Sequence, residues 1–234
     1  MMPVDSRAVS ESLEKYINIM LEDSIFFTDL ATGRAHPDHV RDVFGQFYLW
    51  RNRFHRWFGI CVVKSAAFGE GVNVPSVLNE LITCLVDEIK GDHHGIARSF
   101  LEALGIADAT RISALPVTDS YAESFLRCYF SMDRSGDEAL AALAGRELVG
   151  PSRNEIILRA LPEHYGVTSG LDFFNLHADL ETAHFQTLWD VLVRGTTTDT
   201  RKLIEAARLE IWEHITFWDD VYTAILDTES KLVS

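Results

Sequence analysis

The chain has 234 residues, of which 47% are hydrophobic and 24% are charged, and its formal net charge is −14. This composition is typical of a soluble globular protein, and the negative charge disfavours nucleic acid or an anionic membrane as a partner. The sequence has no uncharged apolar run long enough to span a membrane, and no secretory leader. Its three cysteines are scattered at apolar positions, which favours a cytoplasmic protein without disulfides.

Helical periodicity dominates the sequence, and signals of strands or hairpins are nearly absent. The pattern predicts a first helix that ends near residue 22, a turn at 24–32, and a long helix that begins at Pro37. After a break at 68–75, it predicts helices over about 76–90, 93–104, 120–133, 137–149, 152–165, 169–193 and 199–227. Because no linker, repeat or shift in composition interrupts this series, we expect a single all-α domain over residues 1–234.

Three polar side chains share one face of the helix predicted at 169–193. At about 100° per residue, His177, Glu181 and His184 point within about 60° of one another. The same face carries apolar residues and therefore points inward, namely Phe173, Phe174, Leu188 and Val191. A buried carboxylate needs an ion pair or a metal, and imidazole nitrogens are common metal ligands. The spacing H-x3-E-x2-H thus predicts a metal site, and hydrogen-bonded core histidines are the alternative.

Three further candidate ligands lie on neighbouring predicted helices. Glu88 continues the apolar stripe of its helix, whereas Asp87 is turned about 100° away and is interpreted as solvated. His93 shares a face with apolar neighbours, so we prefer it to His94 as the inward residue, although the choice stays open. Glu147 is in register with inward leucines. Each acid alone also fits a salt bridge or an exposed edge.

Together these residues form a predicted set of three carboxylates and three histidines, namely Glu88, His93, Glu147, His177, Glu181 and His184. Six such ligands can hold two metal ions with one bridging carboxylate, and three negative charges balance most of the charge of two divalent ions. Oxygen and imidazole ligands without thiolate favour iron or manganese over structural zinc. Two Fe(II) ions can jointly reduce O2, so we expect O2 as the co-substrate.

Three segments resemble the haem-oxygenase-like diiron oxidases and oxygenases, which are relatives of the TenA and PqqC folds. They read LVDEIKG…HHGIARSFLEALG, ALAALAGRELVGP…ALPEHYG and LDFFNLHADLETAHFQTLW, and they cover roughly residues 76–190. The resemblance maps the second glutamate of that family onto Glu147. One departure is Glu181, since many relatives have Asp at this position.

The resemblance implies a seven-helix, haem-oxygenase-like bundle that binds no haem and holds a diiron centre whose assembly can depend on substrate. It implies an O2-activating enzyme that acts on a small amino acid, amine or carboxylic acid through a peroxo-diferric intermediate. The outcome would be oxidative C–C cleavage, desaturation or N-oxygenation. Some N-oxygenating members use a seventh, carboxylate ligand, and its apparent absence here slightly favours cleavage or desaturation. An external electron donor and a homodimer stay open.

The long predicted helix carries two residues that are candidates for binding a substrate carboxylate. Arg51 and His55 are four residues apart and share a face with aromatic side chains, so they are candidate substrate-binding residues. A solvated basic face is the alternative interpretation.

Two other functions compete with the oxygenase hypothesis. A TenA-like, metal-independent hydrolase of thiamin fragments would use a cysteine nucleophile, for which Cys128 is the candidate. A non-catalytic metal-binding bundle would bind metal tightly without substrate and would consume no O2.

Overall fold

The computed structural model describes residues 6–65, 68, 71–90, 93–130 and 134–233, and every regular element in these ranges is helical. The helices in chain order are α1 Ser6–Asp23, α2 Ile25–Ala31, α3 Pro37–Lys64, α4 Val74–Lys90, α5 His93–Ala103, α6 Pro116–Ala122, α7 Ser124–Tyr129, α8 Gly136–Glu147, α9 Val149–Tyr165, α10 Asp172–Val193 and α11 Thr200–Val233. The predicted all-α class is confirmed. None of the described helices is both long and apolar enough to cross a membrane.

The count of seven helices that the resemblance implied is wrong, and short helices also occur where the sequence pattern predicted a turn or one continuous helix. The predicted turn at 24–32 contains α2, which begins because the Ser24 side chain accepts a hydrogen bond from the Phe27 backbone N–H. The helix predicted to reach residue 133 divides at Glu123 into α6 and α7. No glycine or proline marks that break, so it could not be predicted from the helical pattern.

Helix α8 lies at the centre of the fold, with nearly every residue buried. Its small residues allow close approach of α11, since a Cβ atom on Gly145 would lie 2.8 Å from the Ala207 Cα atom. A capping box between Ser135 and Glu138 fixes where α8 begins. The last residue of α8, Glu147, is consequently held in the interior.

One hydrophobic core receives residues from all of these helices. Its aromatic centre includes Phe47 and Trp218, whose rings stack at 4.7 Å, and Phe44 packs edge-on against Trp218. Helices α4, α5, α8 and α10 carry the candidate ligands, and α3 packs against α4, α5 and α8. The single domain over residues 1–234 stays a prediction.

Candidate metal centre

Two groups of buried ligand-type residues share Glu88. Glu88, His93 and His177 form the first group, and Glu88, Glu147 and His184 form the second. Within each group, one ligand atom per residue lies within 4.8 Å of the others. All five side chains are at most 8% exposed, so four helices bring their polar groups to one buried place. We call these five residues the ligand cluster.

The first group is arranged for metal binding through imidazole nitrogens. His93 Nδ1 lies 3.3 Å from Glu88 Oε2, and His177 Nε2 lies 3.9 Å from Glu88 Oε1. His177 Nδ1 donates a hydrogen bond of 2.6 Å to the Phe173 carbonyl. That bond fixes the tautomer and leaves the Nε2 lone pair free, and this buried atom has no hydrogen-bond partner.

The second group places one imidazole between carboxylates. His184 Nδ1 lies 3.3 Å from Glu147 Oε2, and His184 Nε2 lies 3.5 Å from Asp87 Oδ2. Burial acts to lower the pKa of His184, but Cys84 and Glu147 raise it to about 11. The interpretation of Asp87 as solvated is incomplete, since this half-exposed carboxylate reaches the edge of the centre. The site therefore attracts positive charge strongly.

Arg51 contacts the ligand cluster, whereas His55 does not. The Arg51 guanidinium donates to Glu88 Oε2. Burial acts to raise the pKa of Glu88, but Arg51, His177 and His93 hold it well below its usual range. His55 is exposed, so the two predicted substrate-binding residues do not meet at the centre.

Glu181 is buried but lies outside both groups. Its Oε1 atom lies 3.8 Å from Arg146 Nη1, and its Oε2 atom lies 3.7 Å from Arg153 Nη2. Burial raises the pKa of Glu181, and the two arginines act to lower it. Of the six predicted ligands, five therefore converge, and the sixth faces two guanidinium groups. His93 occupies the first group, and the His94 side chain lies outside the described residues.

The donor atoms present at the ligand cluster fit metal ions. His177 Nε2, His184 Nε2 and Glu147 Oε1 are buried without a hydrogen-bond partner. Such atoms lose the hydration that they had in the unfolded chain, and a cation would restore the lost interactions. Carboxylate oxygens and imidazole nitrogens suit iron or manganese.

Sequence reasoning missed a second buried polar cluster beside this centre. It consists of Tyr121, Arg153, Asn154, Glu210 and His214, and we call it the inner network. Part of this cluster could have been predicted from the sequence. Glu210, His214 and Trp218 follow one another at four-residue spacing and therefore lie on one inward face of α11. The burial of Arg153 depends on neighbouring helices and was not readable.

The candidate nucleophile Cys128 lies in an unfavourable electrostatic setting. Burial raises the pKa of its thiol, and Glu213 and Glu210 raise it further. A nucleophilic cysteine needs the opposite shift, because the thiolate is the reactive form.

Solved structures with the same architecture have very different sequences. A domain of unknown function with a heme oxygenase-like fold from Shewanella denitrificans is 15% identical, with a TM-score of 0.77 over 97% of this chain and 96% of that chain. A TenA homolog from Pseudomonas syringae is 11% identical, with a TM-score of 0.71 over 94% and 92%. Heme oxygenase-1 from the cyanobacterium Synechocystis, in complex with heme, is 12% identical, with a TM-score of 0.51 over 96% and 97%.

These similarities confirm the predicted haem-oxygenase-like fold. None of the curated protein sequences matches this chain. Residues 41–219 match the model of a family described as iron-containing redox enzymes, and this range includes the whole ligand cluster. The chain therefore belongs to the iron-containing redox enzyme family.

Proposed function

We propose that this chain is a non-haem diiron enzyme that activates O2 and oxidises a small amino acid, amine or carboxylic acid. The observation that carries the proposal is the pair of buried donor groups that share Glu88. One carboxylate common to two sets of ligands suits two adjacent ions better than a single ion. Membership of an iron-containing redox family supports iron as the metal.

Each residue of the ligand cluster has a defined role in this proposal. His93 and His177 would hold one ion, Glu147 and His184 would hold the other, and Glu88 would contribute to both groups. The Phe173 carbonyl holds the His177 ring with Nε2 directed inward. When bound, two ferrous ions supply the electrons that reduce O2. The protein supplies a buried environment that excludes bulk water from this chemistry.

The space next to the cluster supports protein-bound iron rather than haem. A cavity of about 10 Å³ lies beside the Arg51 side chain, between aromatic residues of α3, α5 and α10. It holds about one water molecule, so a macrocycle would have to separate these helices. A small substrate would require a smaller displacement of the aromatic side chains that line this cavity.

The charge at that cavity supports one class of substrate. Arg51 is the cation in its lining, and its guanidinium also lies 5.7 Å from the centre of the Phe173 ring. A substrate carboxylate can pair with Arg51, while its carbon chain contacts the aromatic side chains. This arrangement supports an amino acid or carboxylic acid as the substrate.

Three reaction outcomes remain in the proposal. The sequence shows no clear candidate for a seventh, carboxylate ligand, and this absence favours oxidative cleavage or desaturation over N-oxygenation. Asp87 places a carboxylate oxygen 3.5 Å from His184 Nε2, so Asp87 is a candidate for the seventh ligand. We therefore keep cleavage, desaturation and N-oxygenation together in the proposal.

The test is to mix anaerobically iron-loaded protein with O2 in the presence of individual amino acids, amines and fatty acids. We expect one substrate class to produce rapid O2 uptake and a transient visible absorbance. Both signals should disappear in His177→Ala, whereas the surface variant Glu102→Gln should retain them. Iron-loaded protein that consumes no O2 with any member of this panel would contradict the proposal and favour metal storage.

A metal-independent hydrolase predicts the opposite pattern. Hydrolysis of thiamin fragments would continue in the presence of a chelator and would end in Cys128→Ala. The raised pKa of the Cys128 thiol makes this outcome unexpected.

A further inference from the structure

The Glu181 carboxylate occupies space that exists only because residue 150 is glycine. A Cβ atom on Gly150 would overlap the Oε2 and Cδ atoms of Glu181. No rotation of a neighbouring group relieves such an overlap while Glu181 stays in place. The end of the glutamate side chain is therefore seated against the α9 backbone.

Two buried arginines, Arg146 and Arg153, lie next to the Glu181 carboxylate. Arg153 donates to Asn154 Oδ1 from Nε and Nη2 at 3.0 and 2.8 Å, and from Nη1 to His214 Nε2 at 2.9 Å. The Arg146 guanidinium lies 4.8 Å from the centre of the Trp50 ring, and the Arg146 side chain is 1% exposed. Arg153 is thus fixed by hydrogen bonds that do not involve Glu181, whereas Arg146 is buried against the Trp50 ring and its Nε and Nη1 atoms have no hydrogen-bond partner.

The glutamate itself is the weakly held partner. Its two contacts with the arginines, at 3.7 and 3.8 Å, are longer than hydrogen bonds, and its Oε2 atom has no hydrogen-bond partner. Glu181 is also one helical turn from His177 on one side and from His184 on the other. Rotation about its side-chain bonds alone can therefore redirect the carboxylate toward the ligand cluster.

We propose that Gly150, Arg146 and Arg153 form a docking pocket that holds the Glu181 carboxylate away from the metal centre. Complete metal loading then requires Glu181 to leave the two arginines, so the arginines and the metal ions compete for one carboxylate. This inference rests on the proposed diiron function. It assigns a reason for the longer residue at position 181, since aspartate is one methylene too short to fill the pocket.

The competition predicts that metal affinity increases when docking is prevented. In Gly150→Ala the added Cβ atom excludes the docked carboxylate, and in Glu181→Asp the shortened side chain cannot reach the pocket. We expect anaerobic titration with ferrous iron against a chelator to show a change at the weaker of the two iron sites. In both variants this site should bind iron at least about tenfold more tightly than in the unchanged chain. Glu181→Gln should weaken the same site at least about tenfold, since an amide is a poor ligand.

Gly59→Ala is the matched control, because nothing lies within 4 Å of a Cβ atom at that position on α3. It should titrate like the unchanged chain. If Gly150→Ala does not fold, as judged by circular dichroism, Glu181→Asp and Glu181→Gln decide the question by changing affinity in opposite directions.

The two proposals fail in different ways. An unchanged chain that binds two ferrous ions, with Glu181→Asp and Glu181→Gln matching its affinities within twofold, would overturn the docking pocket alone. An unchanged chain that binds no iron would overturn the diiron function, and the docking pocket with it.

Discussion

Glu181 lies between two buried polar clusters that differ in whether their atoms are satisfied. In the inner network, hydrogen bonds of 2.9, 2.9 and 3.1 Å join Arg153 to His214, His214 to Tyr121, and Tyr121 to Glu210. In the ligand cluster, both His177 Nε2 and His184 Nε2 lack a hydrogen-bond partner. The polar atoms of the first cluster have partners within the protein, whereas the second leaves these two imidazole nitrogens without one. Unsatisfied buried atoms thus separate a binding site from a structural network of similar composition.

The hydrogen bonds of the inner network all have a defined donor and acceptor, because two of its donors cannot accept a hydrogen bond. Arg153 and Trp218 can only donate, and both donate to His214 Nε2, so the His214 proton must be on Nδ1. His214 Nδ1 therefore donates to the Tyr121 hydroxyl, which donates to Glu210. Burial, Arg146 and Arg153 hold the pKa of His214 well below its usual value, so the ring is neutral.

The largest effect is expected at the residue that both metal groups share. Glu88→Gln should reduce bound iron from about two ions per chain to nearly none, because each group loses its common carboxylate. Iron content after anaerobic loading and desalting measures this effect. Glu102→Gln, on the exposed face of α5, should keep both ions. Two retained ions in Glu88→Gln would show that the groups do not depend on Glu88.

A half-sized effect is expected for the histidines that belong to one group each. His177→Ala and His184→Ala should each retain about one ion per chain, since the other group still has its carboxylate and imidazole. The same iron measurement, repeated on the double variant, should give no bound iron. Loss of both ions in either single variant would mean that the two positions load only together.

Most of the ligand cluster could be predicted from the sequence because helical periodicity determines which side chains face inward. The inward stripes of α4, α8 and α10 identified Glu88, Glu147 and His177 without any tertiary information. The same periodicity places Glu181 on the inward face, but it cannot show what lies opposite. The buried arginines that hold Glu181 come from the end of α8 and from α9, and their positions depend on how the helices pack.

The long helix α3 shows the same limit. Periodicity placed Arg51 and His55 on one face, and it could not show that Arg51 would pair with Glu88 of α4. Helix count failed for a related reason, since the breaks at Ser24 and Glu123 depend on local capping and packing rather than on glycine or proline.

In the inner network, substitutions should affect stability and leave metal binding unchanged. Tyr121→Phe removes the group that joins His214 to Glu210, so one buried donor and one buried acceptor lose their partner. We expect the free energy of unfolding to fall by about 1–3 kcal/mol, as measured by urea denaturation of the metal-free protein. Iron content should stay at two ions per chain. A variant with normal stability and reduced iron would place Tyr121 in the metal site instead.

The smallest effect is a pH dependence that belongs to His214. In the unfolded chain this histidine has a pKa of about 6.5, and the folded chain lowers it, so the unfolded state binds the extra proton at acid pH. The stability that neutral His214 contributes is therefore present above pH 6.5 and is lost as the pH falls below it. The stability gap between the unchanged chain and His214→Gln should narrow by about 1.4 kcal/mol per pH unit below that value.

This pH effect must be measured as a difference between the two chains. Burial raises the pKa of Glu210 well above its usual value, and protonation of Glu210 therefore acts in the opposite sense over the same range. Because Tyr121 joins Glu210 to His214, both chains carry Glu210→Gln in this comparison, which removes that contribution. Urea denaturation at pH 7.5 and 5.5 gives the four values required. A gap that is constant between these two pH values would mean that folding does not shift the pKa of His214.

Anomalous diffraction at the iron edge, from crystals loaded anaerobically with ferrous iron, tests the central claim most directly. We expect two iron peaks on either side of the Glu88 carboxylate, one next to His93 and His177 and the other next to Glu147 and His184. A single peak, or peaks at positions away from Glu88, would contradict the diiron centre.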